Sequence, residues 1–433
     1  MKTSSDRRLI KSLALRDEAY AVIPGGAQTF SKSPMSFVQG VAPNFLTRGE
    51  GAFVWDIDGN RYIDYILGLG PVILGYSDPE VNKAVIDQIK DGVSFSLPHP
   101  IEVEVAHTLC EIIPCAEMVR FGKNGSDVTA AAVRAARAYT HRDKVARCGY
   151  HGWQDWYIGS TDRHLGVPDA VRRLTLRFPY NDLEALHLLL KENRDEIACI
   201  IMEPVTFDAP NPEYLEEVQT LCRKHKALLI FDEVITGFRF GLGGAQAFFG
   251  VTPDLACFGK AMANGFPLSA IVGRAEVMQL FNEVFFSSTF GGEAVSLIAC
   301  QATIQQLRKG HAFDHIWRIG AILQEGVNRL AKAYVLSEHI HCAGFPPWTG
   351  IQIQGHDDDT SRLLRGLFQQ EAIRRGILTA GNNFITLAHN DEIVAETLAA
   401  YEEVFHIFSE SMEAGDLSSR LEGAPPQPII RQT

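Results

Sequence analysis

Residues 227–260 read ALLIFDEVITGFRFGLGGAQAFFGVTPDLACFGK, and the fold follows from how this stretch is punctuated. Ala227–Phe231 is apolar and free of charge, the pattern of a parallel strand covered on both faces. It stops at Asp232 and Glu233. A second apolar run, Leu255–Phe258, stops at Gly259 and Lys260. In open α/β sheets ligand chemistry sits just beyond the carboxyl ends of the strands. An acid and an amine therefore each follow a strand at the place where such sheets do their work.

The same grammar repeats upstream. Cys199–Met202 is a buried-strand pattern ending at Glu203-Pro204. Between it and Ala227, PEYLEEVQTLCRKHK puts Leu215, Val218, Leu221 and Cys222 on one helical face with charge opposite. This is a βαβ unit, and it brings Glu203 and Asp232 to one edge of the sheet. Val145–Cys148 predicts another strand, followed by Gly149-Tyr150-His151-Gly152-Trp153, where an aromatic can stack on a planar ring. Met118–Phe121 predicts a strand that runs into Gly122-Lys123-Asn124-Gly125-Ser126 and an alanine-rich helix over Asp127–Tyr139. A strand, a glycine turn and a helix N-terminus make an anion site. The same turn is equally compatible with an ordinary strand-to-helix junction capped by Ser126.

A lysine paired with an acid is what pyridoxal phosphate (PLP) requires: the amine forms a Schiff base, and the carboxylate holds the pyridine nitrogen. Taken alone, Asp232 fits a helix cap and Lys260 a solvated amine equally well. The words around them decide. FDEVITGFR followed by FGKAMANGFPLSAIVG resembles the core of the class III PLP-dependent aminotransferases, with the nearest likeness to their glutamate-1-semialdehyde 2,1-aminomutase branch. The likeness runs over roughly residues 20–405. It implies the aspartate-aminotransferase-like α/β fold, a large domain with a mostly parallel sheet flanked by helices plus a small α+β domain. It implies that Lys260 forms the Schiff base with PLP and that Asp232 meets its ring nitrogen. Gly125 and Ser126 would hold the phosphate, Tyr150 would stack on the ring, His151 would orient that loop, and Glu203 would support the site. Val234, two residues beyond Asp232 and on the same side, would pack under the ring. In FFSSTFGGE, residues 285–293, Thr289 matches a family threonine that binds the partner subunit's PLP phosphate, which implies a homodimer with shared sites.

The remaining chain predicts the rest of the architecture. MKTSSDRRLIKSLALRDEAY reads as an amphipathic surface helix. Phe53–Asp56 and Arg61–Asp64 alternate around Asp58-Gly59-Asn60, a hairpin signal. Helices are expected over Pro79–Lys90 and Ile101–Ile113. Beyond residue 297, short runs at Ile351–Ile353, Ile377–Thr379 and Phe384–Leu387 alternate with helices over Ser361–Arg374 and Glu392–Ser409, a small α+β pattern. The expected division is an N-terminal helix and meander over 1–70, counted with the small domain, a large PLP-binding domain over 71–310, a small domain over 311–415, and a loose or partner-bound tail over 416–433.

Composition narrows the function classes. With 40 Lys and Arg against 52 Asp and Glu, the net charge of −12 disfavours nucleic acid and anionic membranes. No apolar run reaches the roughly 18 residues of a membrane span, and the N-terminus lacks an apolar signal core, so a cytoplasmic location is expected. The eight cysteines form no CxxC and suit reduced thiols. His339-Ile340-His341-Cys342 is the one metal-like cluster, without a second ligand pair at zinc spacing. Dinucleotide and P-loop patterns fail at named positions: Gln246 and Ile73 stand where a third glycine belongs, Asp254 replaces the first P-loop glycine, and Ala261 replaces the Ser or Thr after Lys260.

The substrate end departs from the mutases. Their N-terminal glycines precede an NSPVR-like stretch whose arginine meets the substrate carboxylate. Here the matching words are Gln28-Thr29-Phe30-Ser31-Lys32, and lysine lacks the bidentate fork. FGGE likewise stands for an SGNP-like sequence. The expectation is a transaminase carrying an amino group from a donor such as glutamate to a keto-sugar or other polar carbonyl, with Lys32 toward the substrate. The alternatives are the aminomutase itself and a PLP-binding scaffold without turnover.

Overall fold

The computed structural model describes residues 8–427. The chain divides into two compact units, one built from 8–69, 73–78 and 314–427 and the other from Gly70–Val72 and Pro79–Phe313.

The Pro79–Phe313 unit is organised by a seven-stranded sheet. Its strands are β1 (Met118–Gly122), β2 (Lys144–Cys148), β3 (Thr175–Arg177), β4 (Ile197–Met202), β5 (Leu228–Asp232), β6 (Leu255–Phe258) and β7 (Ser269–Gly273). They lie in the order β1-β7-β6-β5-β4-β2-β3. β2, β3, β4, β5 and β6 are parallel, and β7 alone runs antiparallel, between β6 and β1. Every residue of β4, β5, β6 and β7 is buried, which explains why these strands read as uncharged runs. One helix packed on the sheet, Gly125–Thr140, buries Val128, Ala131, Ala132 and Ala135. These small side chains join Val145, Ile201, Ile230 and Cys257 in the core and let the helix lie close to the strands.

The expected boundaries differ in instructive places. The helix after β1 starts at Gly125, not Asp127, and its cap is Asn124, not Ser126. Asn124 and Asp127 form a reciprocal capping box, which satisfies two of the first turn's donors and leaves Ser126 inside the helix.

In the other unit, the hairpin Phe53–Asp56 and Arg61–Asp64 forms as read, within a four-stranded sheet closed by Ile377–Leu378. Ile10–Val22 is helical, and the first seven residues of the expected helix lie outside the described residues. A second sheet joins Ile340–Phe345, Trp348–Ile353 and Asn382–Phe384. The expected strand over Phe384–Leu387 is displaced toward the N-terminus, because beyond Phe384 the backbone bonds irregularly to Pro347 and Ile73. In the His339–Cys342 cluster, His339 turns to the Gln354 carbonyl, while His341 is exposed and Cys342 buried on alternate faces of a strand. The tail is docked on its own unit up to Gln427. Gln370 brackets it with bonds to Arg420 O and Glu422 N, and Ala424 and Gln427 bond to Gln39 and Met35.

Candidate active site

The carboxyl edge of the sheet collects the residues that follow the strands. Asp232 ends β5, Glu203 follows β4, Tyr150 and His151 follow β2, Lys260 follows β6, and Gly125 and Ser126 follow β1. Eight of the ten residues singled out in the sequence therefore share one edge, with Val234 among them.

Two loops are locked together there by hydrogen bonds that need glycine nearby. Ser126 Oγ accepts from Trp153 N at 3.3 Å, and Thr129 Oγ1 donates to His151 O at 2.8 Å. Gly152 has φ +105°, and a Cβ on it would collide with Ser126. Gly149 has φ +101°, and a Cβ there would collide with the Glu203 carboxylate. Neither position admits an L side chain without strain. With Gly149 bare, Glu203 Oε2 reaches the Tyr150 N–H at 3.0 Å.

The Asp232 carboxylate is fixed from two sides. Oδ1 accepts from Val234 N at 3.1 Å, and Oδ2 lies 2.8 Å from His151 Nδ1. His151 is buried, and its Nε2 lies 3.0 Å from Cys148 O. A carbonyl only accepts, so Nε2 carries a proton, and the ring is fixed in the plane that serves Asp232. Trp156 stacks on the same imidazole at 6.0 Å.

Lys260 opens a short 3₁₀ turn in the left-handed region, φ +44°, a conformation that costs a non-glycine residue about 1–2 kcal/mol. Burial draws its amine down to about 8, against the opposing pull of Glu203 and Asp232, and Arg239 adds to the lowering. Burial, followed by the Asp232 charge, raises Glu203 to about 7, with His151 and Lys260 working the other way. The amine and both carboxylates thus lie within one another's field.

This edge fits a PLP cofactor. It offers a lysine whose amine is neutral in part near pH 8, a buried carboxylate and an aromatic ring. Its helix N-terminus has first N–H groups that find no acceptor within the helix. Val234 sits against the turn, since a Cβ on Gly125 would meet its two methyls at 3.0 and 3.1 Å, and one on Gly259 would meet it at 3.6 Å. Ser269 Oγ, fully buried beside Gly122, has no hydrogen-bond partner.

Two expected residues lie elsewhere. Thr289 is on an exposed loop. Lys32 belongs to the other unit, exposed at the rim of a cavity of about 340 Å³ that Asp64 and Tyr76 also line; Tyr76 Oη donates to Asp64 Oδ2 at 2.7 Å. Sequence reasoning missed Arg239, buried with its Nη2 on the Gly70 carbonyl at 2.6 Å, and the Lys123–Glu293 pair at 2.7 Å. The available signal was the departure of FGGE from the mutase pattern together with a lysine in the Gly122–Ser126 turn.

The sequence profile described as Aminotransferase class-III matches residues 37–406. The chain is 38% identical over 406 residues to the 3-aminobutyryl-CoA aminotransferase of Cloacimonas acidaminovorans (strain Evry), covering 92% of this chain and 97% of that protein. It is also 38% identical over 421 residues to the glutamate-1-semialdehyde 2,1-aminomutase of Roseiflexus castenholzii (strain DSM 13941 / HLO8), covering 90% and 96%. Among solved structures, the FumI protein of Sphingopyxis sp. MTA144, determined with PLP, superposes with a TM-score of 0.88 at 27% identity, over 96% of this chain and 99% of that one. With a matching profile over most of its length and relatives of this identity and coverage, the chain belongs to the class III aminotransferases, the PLP-dependent family that also holds the glutamate-1-semialdehyde aminomutases.

Proposed function

We propose that this chain is a transaminase that carries an amino group from a donor such as glutamate to a polar carbonyl acceptor, with Lys260 as its reactive amine. The observation that carries the reading is the meeting of Lys260, Asp232 and Glu203 at the ends of neighbouring strands, where burial lowers the Lys260 amine. Bound PLP supplies an aldehyde for amines to condense with and a ring that takes up electrons from the substrate carbon. With the cofactor in place, Lys260 would be the base that holds and moves the proton of the substrate α-carbon. Asp232, oriented by His151, would hold the ring nitrogen. Gly125, Ser126 and the helix N-terminus would take the phosphate, and Tyr150 and Val234 would pack against the ring. Glu203 holds the Tyr150 loop through the backbone N–H, and Lys32 is kept for an anionic group of the substrate.

The acceptor is a keto-sugar or another polar carbonyl, such as the 3-oxo group of an acyl thioester, suggested by the name of the Cloacimonas relative. The aminomutase is the second reading, supported by a relative of equal identity; it is disfavoured by Lys32, which lacks the arginine fork. A coupled assay separates the readings, since a transaminase converts glutamate to 2-oxoglutarate stoichiometrically and a mutase needs no added donor. Lys260→Ala is expected to lose both the visible absorbance of the loaded protein and turnover. Full turnover in that variant would end the assignment.

The working form is proposed to be a homodimer, with Thr289 reaching the partner's phosphate site. Exposed apolar side chains on the same unit, among them Phe95, Leu97, Val103, Met118, Phe285 and Phe290, support such an interface. A cytoplasmic location is supported by eight free cysteines, seven of them buried, and by the absence of a helix long and apolar enough to cross a membrane among the described residues.

A further inference from the structure

In the unit that carries Lys32, the segment 421–427 is laid against the backbone just beyond that lysine. Lys32 ends a 3₁₀ turn, Phe30–Lys32, and a second turn, Pro34–Ser36, follows it. Hydrogen bonds knit the two turns together. Ser36 Oγ donates to Phe30 O at 2.7 Å, and Ser33 N donates to the same carbonyl at 3.0 Å. The stretch that follows is gripped from two directions. On one side stands Gln369 of the helix Asp358–Arg374. Its Oε1 accepts from Val38 N at 2.6 Å, and its Nε2 donates to Thr379 O at 3.3 Å. On the other side, Gln39 N donates to Ala424 O at 3.1 Å and Gln427 N donates to Met35 O at 2.9 Å. The next glutamine of the helix, Gln370, donates to Arg420 O and accepts from Glu422 N, both at 2.9 Å, and Arg374 pairs with Glu422. Gln369 and Gln370 are both buried. Two successive side chains of one helix therefore hold the Lys32 segment and the strap side by side. Glycines let the strap lie close: a Cβ on Gly366 would stand 2.8 Å from Pro425, and one on Gly423 would collide with the Gln39 carbonyl.

We propose that Gln369, Gln370 and the 421–427 strap are positioning elements for Lys32, which they hold ready for a carboxylate of the substrate. The inference rests on the reading of Lys32 as a substrate contact. Lys32 and Phe37 line the cavity of about 340 Å³, and the strap bonds at Met35 and Gln39, on either side of Phe37. Asp64, on the same lining, already accepts from Tyr76 Oη at 2.7 Å, Ile66 N at 2.7 Å and Leu67 N at 3.1 Å. Its carboxylate is satisfied without the Lys32 amine, so that charge is left for a ligand. A lysine has a flexible stem and no rigid fork, so its aim depends on the backbone beneath it. The strap restricts that backbone before the ligand arrives, which lowers the ordering cost of binding. Both Lys32 and the strap lie outside residues 37–406, the span that the class III profile matches.

The test compares the full-length holoenzyme with two variants that release the strap. Gly423→Val drives a side chain into the Gln39 carbonyl, and Gln370→Leu removes both bracketing bonds. Ser418→Ala, at an exposed tail position, is the control. Amide exchange read by mass spectrometry is expected to quicken roughly tenfold or more over residues 33–39 in both releasing variants, as the loss of two or three hydrogen bonds implies. Strands β5 and β6 should exchange as in the parent, and PLP affinity should not change. In the glutamate half-reaction, followed by the cofactor's absorbance, both variants should need roughly three- to tenfold more glutamate for half-saturation, at an unchanged limiting rate. The response to 2-butylamine, which carries no carboxylate, should stay as it is. A merely structural strap would not move glutamate alone. Unchanged exchange over 33–39 in both variants overturns the proposal. So does unchanged half-saturation in both, where Lys32→Met raises it. If Lys32→Met leaves half-saturation unchanged, the Lys32 reading fails and the proposal with it. A parent enzyme that does not react with glutamate counts against that donor, and the exchange measurement then decides the strap.

Discussion

The Lys260 amine and the Glu203 carboxyl are displaced in opposite directions by the same burial, and this gives the apo-protein a pH signature. Lys260 falls from 10.5 to about 8, so between those values the unfolded chain binds the proton more tightly than the folded one. Its contribution to stability is complete above 10.5 and is lost as pH falls through 8, a swing of about 3 kcal/mol. Glu203 rises from 4.5 to about 7, and its contribution is complete below 4.5 and lost as pH rises through 7. Denaturant unfolding of apo-protein across pH is expected to lose the upper slope in Lys260→Met and the lower slope in Glu203→Gln. Unchanged slopes would place these groups in solvent. Gly152→Ala is expected to cost more than about 1 kcal/mol through its positive φ. It should also weaken PLP binding in a cofactor titration, because the new Cβ displaces Ser126.

At the scale of elements, the partly buried pair Lys123–Glu293 joins the Gly122–Ser126 turn to the helix Ala294–Arg308. Glu293 also caps that helix, accepting from Val295 N at 2.9 Å and Ser296 N at 3.0 Å. Burial pushes its carboxyl up, but the Lys123 bond and the cap outweigh this and leave it below its ordinary value. Removing one member of such a pair leaves the other's charge without its partner. Lys123→Met alone is expected to destabilise by about 1–3 kcal/mol. In a double-mutant cycle with Glu293→Gln, the combined variant should lose less than the sum of the two. Additive losses would mean that the pair carries no coupling. This tie shows where sequence reading runs out. Asp232, Lys260 and Glu203 were legible because each ends a short uncharged run that has only one place in such a sheet. Asn124 was not read as the cap, because Ser126 two residues on fits the same role; Asp127, three residues after Asn124, was the signal. Lys123 with Glu293 and Arg239 with Gly70 are contacts between distant segments, and no local pattern announces them. The docked tail escaped for the same reason, since its polar, proline-rich composition reads as loose and its seat is made by distant residues such as Gln370, Gln39 and Met35.

At the scale of the molecule, the two units divide the expected roles. The sheet unit carries nine of the ten singled-out residues, Thr289 included, whereas Lys32 lies on the other. Light scattering is expected to give twice the 47.9 kDa of one chain, and Leu97→Asp with Phe290→Asp should shift the mass toward the monomer. A monomeric parent protein would contradict the proposed role of Thr289 at a partner's phosphate site. All of this depends on which amine meets the cofactor. The most direct measurement is borohydride reduction of the PLP-loaded protein, followed by peptide mapping in a mass spectrometer. The pyridoxyl group is expected on Lys260 at about one per chain. Its recovery on Lys123 or any other lysine, with Lys260 unmodified, would contradict the account.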